Sequence, residues 1–263
     1  MDSTAAKDRQ IYIGTILLEL NRWGSPKTPT YRVSEWVDRF REAGFDGMEL
    51  WEYHATLCSD AERDALASAS FPVTVFNTYC EFEDAAEPDR QRALEMVDRF
   101  GSTGVKFNVG KDPALRETYL KNLRAWQAAL PASCTPLCEC HPGTILEEAG
   151  DAGRFFGDLE GNRCEVIVHC FAWDPAGLRR WFERFGPAVA LAHVQFRNEN
   201  RGVELLKDHP QRVRETLKVM YGEGFRGAFT IEFSRGTREP GENAADLWEA
   251  AKADLEFLRD NLS

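Results

Sequence analysis

Short apolar runs alternate with longer amphipathic stretches along the whole chain. The apolar runs are six to eight residues long and occupy residues 10–17, 46–51, 72–78, 104–109, 135–140, 164–170, 188–195 and 227–233. Runs of this length with turn residues around them are typical of β-strands. Strands that alternate with helices pair in parallel through right-handed crossovers. The pattern therefore predicts an α/β protein with eight strand–helix units.

The amphipathic stretches carry the signals of helix starts and ends. The stretch 34–44 has Ser34 as a candidate N-cap, apolar residues at helical spacing and a stop at Gly44. Two other stretches open with Asp-Pro, a favourable helix start. The predicted helices cover residues 34–44, 87–101, 112–130, 174–186, 208–224 and 242–262.

The chain length and the number of units favour a closed barrel over an open sheet. A (β/α)8 barrel takes ~250 residues, and the chain has 263. No Gly-rich dinucleotide-binding turn follows the first strand, which disfavours a doubly wound sheet. There is no Pro- or Ser-rich linker, so we expect a single TIM barrel domain over residues 1–263, with a disordered extension at 1–9.

The composition narrows the classes of partner. A net charge of −11 argues against nucleic acid, because a binding surface must be basic to neutralise phosphates. The longest apolar-rich stretch, IYIGTILLEL, is too short to span a membrane and contains Glu19. The polar start lacks the apolar core of a signal peptide, and seven cysteines, an odd number, fit reduced thiols. We expect a cytoplasmic protein that acts on a small molecule.

Four polar residues lie at the C-terminal ends of the last four predicted strands. Glu139, His169, His193 and Glu232 are separated by 30, 24 and 39 residues, about one strand–helix unit each. The C-terminal strand ends of such a barrel meet at one mouth, where active sites lie. Two carboxylates and two imidazoles suit Mn, Zn, Co or Fe(II) better than Mg or Ca. We predict that they bind one divalent metal.

Other residues near strand ends are candidates for binding the substrate. Glu49 and Trp51 alternate on one face of the second strand, and His54 follows in the loop. Asn108 lies at the end of the fourth strand, and Arg197 follows the seventh, where an arginine fork suits a carboxylate or phosphate. We expect all five at the mouth of the barrel.

The sequence leaves the roles of two further residues open. His141 shares a strand face with Glu139, so it could bind a substrate hydroxyl, relay a proton or hold a turn. Lys106 could point into the mouth as an electrophile, or lie on the outside with a buried stem.

The chain resembles the xylose isomerase-like TIM barrels, a family that includes sugar phosphate isomerases, epimerases and family-two endonucleases. The resemblance covers about residues 11–260. It rests on the segments GFDGMELWEYH (44–54), CECHPGT (138–144), HCFAWDP (169–175), LAHVQFRN (191–198) and GFRGAFTIEF (224–233). The Gly-aromatic-x-Gly turn before a strand that ends in Glu is the most specific of these.

The resemblance implies a set of metal ligands. Members of the family typically provide Glu, Asp, His and Glu from strands five to eight to one divalent metal. Glu139, His193 and Glu232 match three of these positions. The sixth strand departs from the pattern, because His169 stands where the family has Asp, and Ala172 stands where a His follows three residues later. The resemblance then implies a ligand set of two Glu and two His, with manganese the first expectation and cobalt, zinc, iron(II) or magnesium the alternatives.

The resemblance also implies an activity. We expect an isomerase or epimerase that acts on a sugar, polyol or related hydroxy ketone through an enediolate, with Glu139 and Glu232 as proton-transferring residues and His141 assisting. A lyase or dehydratase acting on a keto sugar or an oxidised glycoside could use the same site. An iron oxygenase using the His/His/Glu set and a barrel that has lost its metal also stay open. Members of the family often form dimers or tetramers, so the resemblance implies a homo-oligomer.

Overall fold

Eight parallel strands pair in the order in which they follow one another along the chain, and together they close into a barrel. The computed structural model describes residues 9–159, 164–172 and 174–262. The strands are β1 (Ile11–Gly14), β2 (Gly47–Trp51), β3 (Val73–Asn77), β4 (Gly104–Phe107), β5 (Thr135–Glu139), β6 (Glu165–His169), β7 (Val189–Val194) and β8 (Ala228–Ile231). Because β1 pairs with both β2 and β8, the ring has no open edge. The predicted TIM barrel is confirmed.

Helices surround this ring of strands. In the described ranges they are α1 (Val37–Ala43), α2 (Glu52–Thr56), α3 (Asp60–Ala67), α4 (Glu87–Phe100), α5 (Arg116–Ala129), α6 (Ala149–Gly157), α7 (Pro175–Phe185), α8 (Pro210–Gly222) and α9 (Ala244–Asn261). The sequence did not predict α2, α3 and α6, since helices of five to nine residues show few apolar repeats. No helix in the described part of the chain is both long enough and apolar enough to cross a membrane.

Two predicted boundaries are wrong. The first strand ends at Gly14, and Thr15–Leu18 form a 3-10 turn instead of continuing it. Ser34 does not cap α1, because its backbone N–H and its hydroxyl both donate to the buried carboxylate of Glu62. In each case a tertiary contact or turn overrides the local pattern.

The alternation of strand residues divides the core into two layers. The inner layer, along the barrel axis, consists of Tyr12, Val75, Leu137, Ile167 and Leu191. The outer layer lies between strands and helices and includes Cys138, Val168 and Cys170. These positions confirm the predicted alternation on β5 and β6. All seven cysteines are free thiols in the structure.

Two segments outside the strands border the barrel. The predicted extension at 1–9 lies outside the described residues except for Arg9, whose guanidinium lies 4.0 Å over the Tyr221 ring. After β7 the chain forms a short antiparallel pair, Phe196–Arg197 with Val203–Glu204. Val203 packs against Trp51 near the C-terminal mouth of the barrel.

Candidate metal centre

The side chains from the ends of β5 to β8 converge. Glu139 Oε1 lies 3.0 Å from His169 Nε2 and 3.6 Å from His193 Nδ1. Glu232 Oε2 lies 3.5 Å from His193 Nδ1 and 4.0 Å from His169 Nδ1. The four residues are only 0–8 % exposed. The structure therefore brings together all four residues that were predicted from the strand ends.

The register of the barrel explains this convergence. His169 and His193 are direct partners on the adjacent strands β6 and β7, and Thr230 of β8 is the partner of His193 on the other side. Glu139 is the last residue of β5, and Glu232 directly follows β8. Because alternate residues of a strand face opposite sides, Glu139 and His169 share the inward face with Leu137 and Ile167 of the inner layer.

Glu49 holds the ring of His193 from behind. Its Oε2 lies 3.1 Å from His193 Nε2, and its Oε1 accepts a hydrogen bond of 2.7 Å from Asn77. Burial lowers the pKa of His193, but the carboxylates of Glu49 and Glu232 outweigh it and raise the pKa well above its usual range. His193 Nδ1, the atom that faces both site glutamates, is buried without a hydrogen-bond partner.

Lys106 resolves the question that the sequence left open, because it points into the mouth. Its Nζ lies 2.7 Å from Glu139 Oε2, 2.8 Å from Asn108 Oδ1 and 4.1 Å from the centre of the Tyr79 ring. Asn108 also donates to Glu139 Oε2 at 3.2 Å. The second oxygen of Glu139 is thus held by an ion pair and a hydrogen bond.

The two site glutamates differ in basicity. Burial raises the pKa of Glu139, but Lys106 and the two histidines outweigh it, so the pKa is well below its usual range. Burial also raises the pKa of Glu232, and the charge of Glu139 adds to it, so this pKa stays raised although His193 opposes it. Pairs of carboxyl groups with pKa values pushed apart are typical of acid–base sites.

Gln195, which the sequence pattern did not single out, lies beside the cluster. Its Nε2 donates to Glu232 Oε2 at 2.7 Å and lies 2.8 Å from His169 Nδ1. Its Oε1 accepts a hydrogen bond of 2.7 Å from Arg197 Nε. The alternation that places His193 in the mouth also applies two residues later, so the pattern could have identified Gln195.

The side chains of three residues predicted for catalysis or substrate binding contact groups other than the four cluster residues. His141 is exposed, and its Nδ1 contacts the carbonyl of Pro142 at 2.7 Å. His54 is buried between the hydroxyl of Thr15 and the carboxylate of Glu19, both 3.0 Å from its ring nitrogens. Trp51 is buried under the mouth in the apolar cluster that also contains Val203. His54 thus has all its polar atoms satisfied by the protein and lacks the open position expected of a substrate contact.

The residues fit a divalent metal. Glu139, His169 and His193 each offer a ligand atom, and these atoms lie within 4.8 Å of one another. Ligands of one ion, each at about 2.0–2.2 Å, lie roughly 3 Å apart, and the separations around His193 Nδ1 are only slightly longer. A carboxylate behind a histidine, like Glu49, is the usual support of a metal-binding imidazole. The unpartnered Nδ1 of His193 is the observation that fits a metal best.

Comparison with known proteins identifies solved structures of similar fold. No protein-family model matches the chain, and no curated protein matches its sequence. A xylose isomerase-like TIM barrel protein from Mycobacterium smegmatis, solved in complex with magnesium, is 15% identical with a TM-score of 0.64, covering 98% of this chain and 99% of that one. The probable 3-DHS dehydratase AsbF from Bacillus anthracis is 14% identical with a TM-score of 0.66, covering 95% and 98%.

A third solved structure, of L-ribulose 3-epimerase, is 13% identical with a TM-score of 0.68, covering 97% of this chain and 94% of that one. Identities this low speak to the fold rather than to the activity. The chain has the fold of the xylose isomerase-like TIM barrel proteins, as the sequence motifs predicted.

Proposed function

We propose that the protein is a divalent-metal-dependent isomerase or epimerase that moves a proton next to the carbonyl of a sugar, polyol or related hydroxy ketone. The observation that carries the proposal is the buried His193 Nδ1 without a partner, which faces one oxygen each of Glu139 and Glu232. The similar solved structures, an epimerase and a magnesium-bound barrel among them, support it.

Glu139, His193 and Glu232 would hold the metal at the mouth of the barrel, with His169 beside them. Mn²⁺ is the first expectation, because the donors mix oxygen and nitrogen. When bound, the metal would polarise the substrate carbonyl and stabilise the negative charge that develops on its oxygen.

Glu232 is the better candidate for the general base. Its raised pKa makes it the more basic of the two site glutamates, and no described residue hydrogen-bonds to its Oε1. Glu139 was expected both to bind the metal and to transfer a proton. It is less suited to proton transfer, since Lys106 and Asn108 hold its second oxygen. We therefore assign proton transfer to Glu232, and metal binding with charge balance to Glu139 and Lys106.

A lyase is the second candidate, because a single carboxylate of the site is suited to act as a base. Both oxygens of Glu49 are also engaged, by Asn77 and His193. Of Glu49, Glu139 and Glu232, only Glu232 thus has an oxygen that makes no hydrogen bond with a described residue. A single base can serve an isomerisation or an elimination, whereas epimerisation needs a second group on the opposite face. The dehydratase among the similar structures supports this alternative.

Solvent exchange tests the proposal without knowledge of the product. The protein is incubated with Mn²⁺ in D2O with D-fructose, D-xylulose, L-ribulose and 3-keto-glucosides, and loss of the proton next to the carbonyl is followed by NMR. We expect exchange with at least one of these compounds and its loss in Glu232→Gln. Glu249→Gln, which makes the same change at an exposed position on α9, is the control. Absence of exchange with every compound in Mn²⁺, Co²⁺, Zn²⁺, Fe²⁺ and Mg²⁺ would contradict the proposal.

A further inference from the structure

Gln195 is buried between three groups whose hydrogen-bonding roles differ. One end of its amide faces Arg197 Nε at 2.7 Å. The other end faces Glu232 Oε2 at 2.7 Å and His169 Nδ1 at 2.8 Å. All three distances lie within the range of true hydrogen bonds.

The chemistry of these neighbours fixes the orientation of the amide. An arginine Nε–H only donates, and an ionised carboxylate only accepts. The amide oxygen of Gln195 must therefore face Arg197, and its NH2 group must face Glu232. The reverse orientation would bring two donors together at Arg197 and two acceptors together at Glu232.

This orientation sets the position of the proton on His169. One amide hydrogen goes to Glu232 and the other points at His169 Nδ1, which must accept it and so carries no hydrogen. A neutral imidazole has one N–H, so the hydrogen of His169 lies on Nε2. This atom is 3.0 Å from Glu139 Oε1, to which it donates.

We propose that Gln195, oriented by Arg197, keeps His169 as a hydrogen-bond donor to Glu139, so that His169 is a positioning residue and lies outside the ligand set of the metal on which the proposed function rests. A ligand nitrogen must offer a lone pair, and the nitrogen that His169 turns toward Glu139 carries a hydrogen. His169, which stands where the family has Asp, then supports the proposed ligand Glu139 through a hydrogen bond and does not itself bind the metal.

A His169 that donates to Glu139 disfavours an iron oxygenase. A non-haem iron oxygenase of the usual kind needs two histidines and one carboxylate as ligands. With His169 held as a donor, His193 is the one histidine of the cluster that turns an unpartnered nitrogen toward both glutamates. The proposed set of Glu139, His193 and Glu232 has two carboxylates and one imidazole, which is not the oxygenase set.

The tautomer can be measured on the metal-free protein by ¹⁵N NMR of labelled histidine, with the five histidines assigned by single substitutions. We expect His169 Nδ1 to show the shift of an unprotonated nitrogen and Nε2 that of a protonated one. In Gln195→Glu the new carboxylate accepts instead of donating, so the hydrogen is expected to move to Nδ1. Gln211→Glu, on the exposed face of α8, should change nothing. An Nδ1-protonated His169 in the wild type, or the same tautomer in Gln195→Glu, overturns the inference.

Titration with Co²⁺ tests the ligand set. The visible spectrum of bound Co²⁺ reports its donors, so His169→Ala is expected to keep the wild-type spectrum with an affinity about 10–100-fold lower, as for loss of a supporting residue. His193→Ala should not bind Co²⁺. A spectrum in His169→Ala that shows one nitrogen donor fewer overturns the inference. A wild-type protein that binds no Co²⁺ overturns the proposed function instead, while the NMR result still decides the role of Gln195.

Discussion

The two histidines of the cluster are neighbours in register and equivalent by sequence pattern, yet they face opposite kinds of partner. Behind His193 lies the carboxylate of Glu49, and the ring turns its unpartnered Nδ1 toward the site. Behind His169 lies the amide of Gln195, and the ring turns Nε2 toward Glu139. The comparison teaches that the hydrogen bond made by one ring nitrogen decides which nitrogen faces the site and can bind a metal or donate.

The two site glutamates repeat this contrast. Glu139 has Lys106 within 2.7 Å and a lowered pKa, whereas Glu232 has the neutral amide of Gln195 and a raised pKa. In the proposed function, equal side chains at equivalent strand ends thus take different roles, Glu139 as a charge-balanced ligand and Glu232 as the base.

Removal of His193 should have the largest effect. His193→Ala deletes the nitrogen that faces both glutamates, so we expect the bound Mn²⁺ measured by elemental analysis to fall to background. His141→Ala is the matched control, because the exposed side chain contacts the carbonyl of Pro142 and the substitution keeps the backbone N–H that donates to the Glu139 carbonyl. Equal loss of metal in both variants would remove the distinction between the two positions.

Lys106→Met should have the next largest effect, because it leaves Glu139 buried without its cation. Breaking a buried ion pair costs about 3–5 kcal/mol, so the free energy of unfolding of the metal-free protein should fall by about this amount. Saturating Mn²⁺ should recover part of the loss, since the metal also neutralises Glu139. Both quantities can be read from urea unfolding. Lys121→Met, at the exposed pair with Asp84, should cost under about 1 kcal/mol; an equal cost would show that the Lys106 pair is not special.

A buried carboxyl outside the cluster gives a pH dependence of stability that is independent of the metal. Asp254 of α9 accepts hydrogen bonds from Ser234 and from the backbone N–H of Leu206. Burial raises its pKa to about 7, although these hydrogen bonds oppose it. The folded protein therefore keeps a proton that the unfolded chain loses near its ordinary pKa of 3.8.

The contribution of Asp254 to stability is fully present below about pH 4, is lost as the pH rises to about 7 and is constant above it. The change amounts to at most about 4 kcal/mol. Urea unfolding between pH 4 and 8 should show this decline in the wild type and a smaller one in Asp254→Asn, whose side chain is neutral throughout. Asp98→Asn, on the exposed face of α4, should keep the full decline. A wild-type curve parallel to that of Asp254→Asn would show that Asp254 titrates normally.

Glu49→Gln should have the smallest effect of the four and tests the support behind His193. Loss of such a support typically lowers metal affinity about 10–100-fold, which is about 1.4–2.7 kcal/mol. Calorimetric titration with Mn²⁺ gives the value. Glu249→Gln, the same change at an exposed position of α9, should leave the affinity unchanged. Equal affinities of Glu49→Gln and the wild type would show that Glu49 does not support His193.

The strand pattern predicted the frame of the site because it depends on local alternation. Leu137 and Glu139 face inward and Cys138 faces outward, as the period of two requires. A local signal for a helix start fails where a tertiary contact intervenes, as at Ser34, whose hydrogen bonds go to Glu62. The alternation could also have placed Lys106, because this residue lies inside β4 and pairs with the inward-facing Leu137.

The sequence by itself therefore determined the barrel, the single inward face of each strand and the four residues that meet at the mouth. Only the tertiary structure decided what each of them does, because the deciding partners are distant in the chain. Glu49 lies 144 residues from His193, and Gln195 lies 26 residues from His169. Hydrogen positions and pKa values depend on such contacts, and no local pattern contains them.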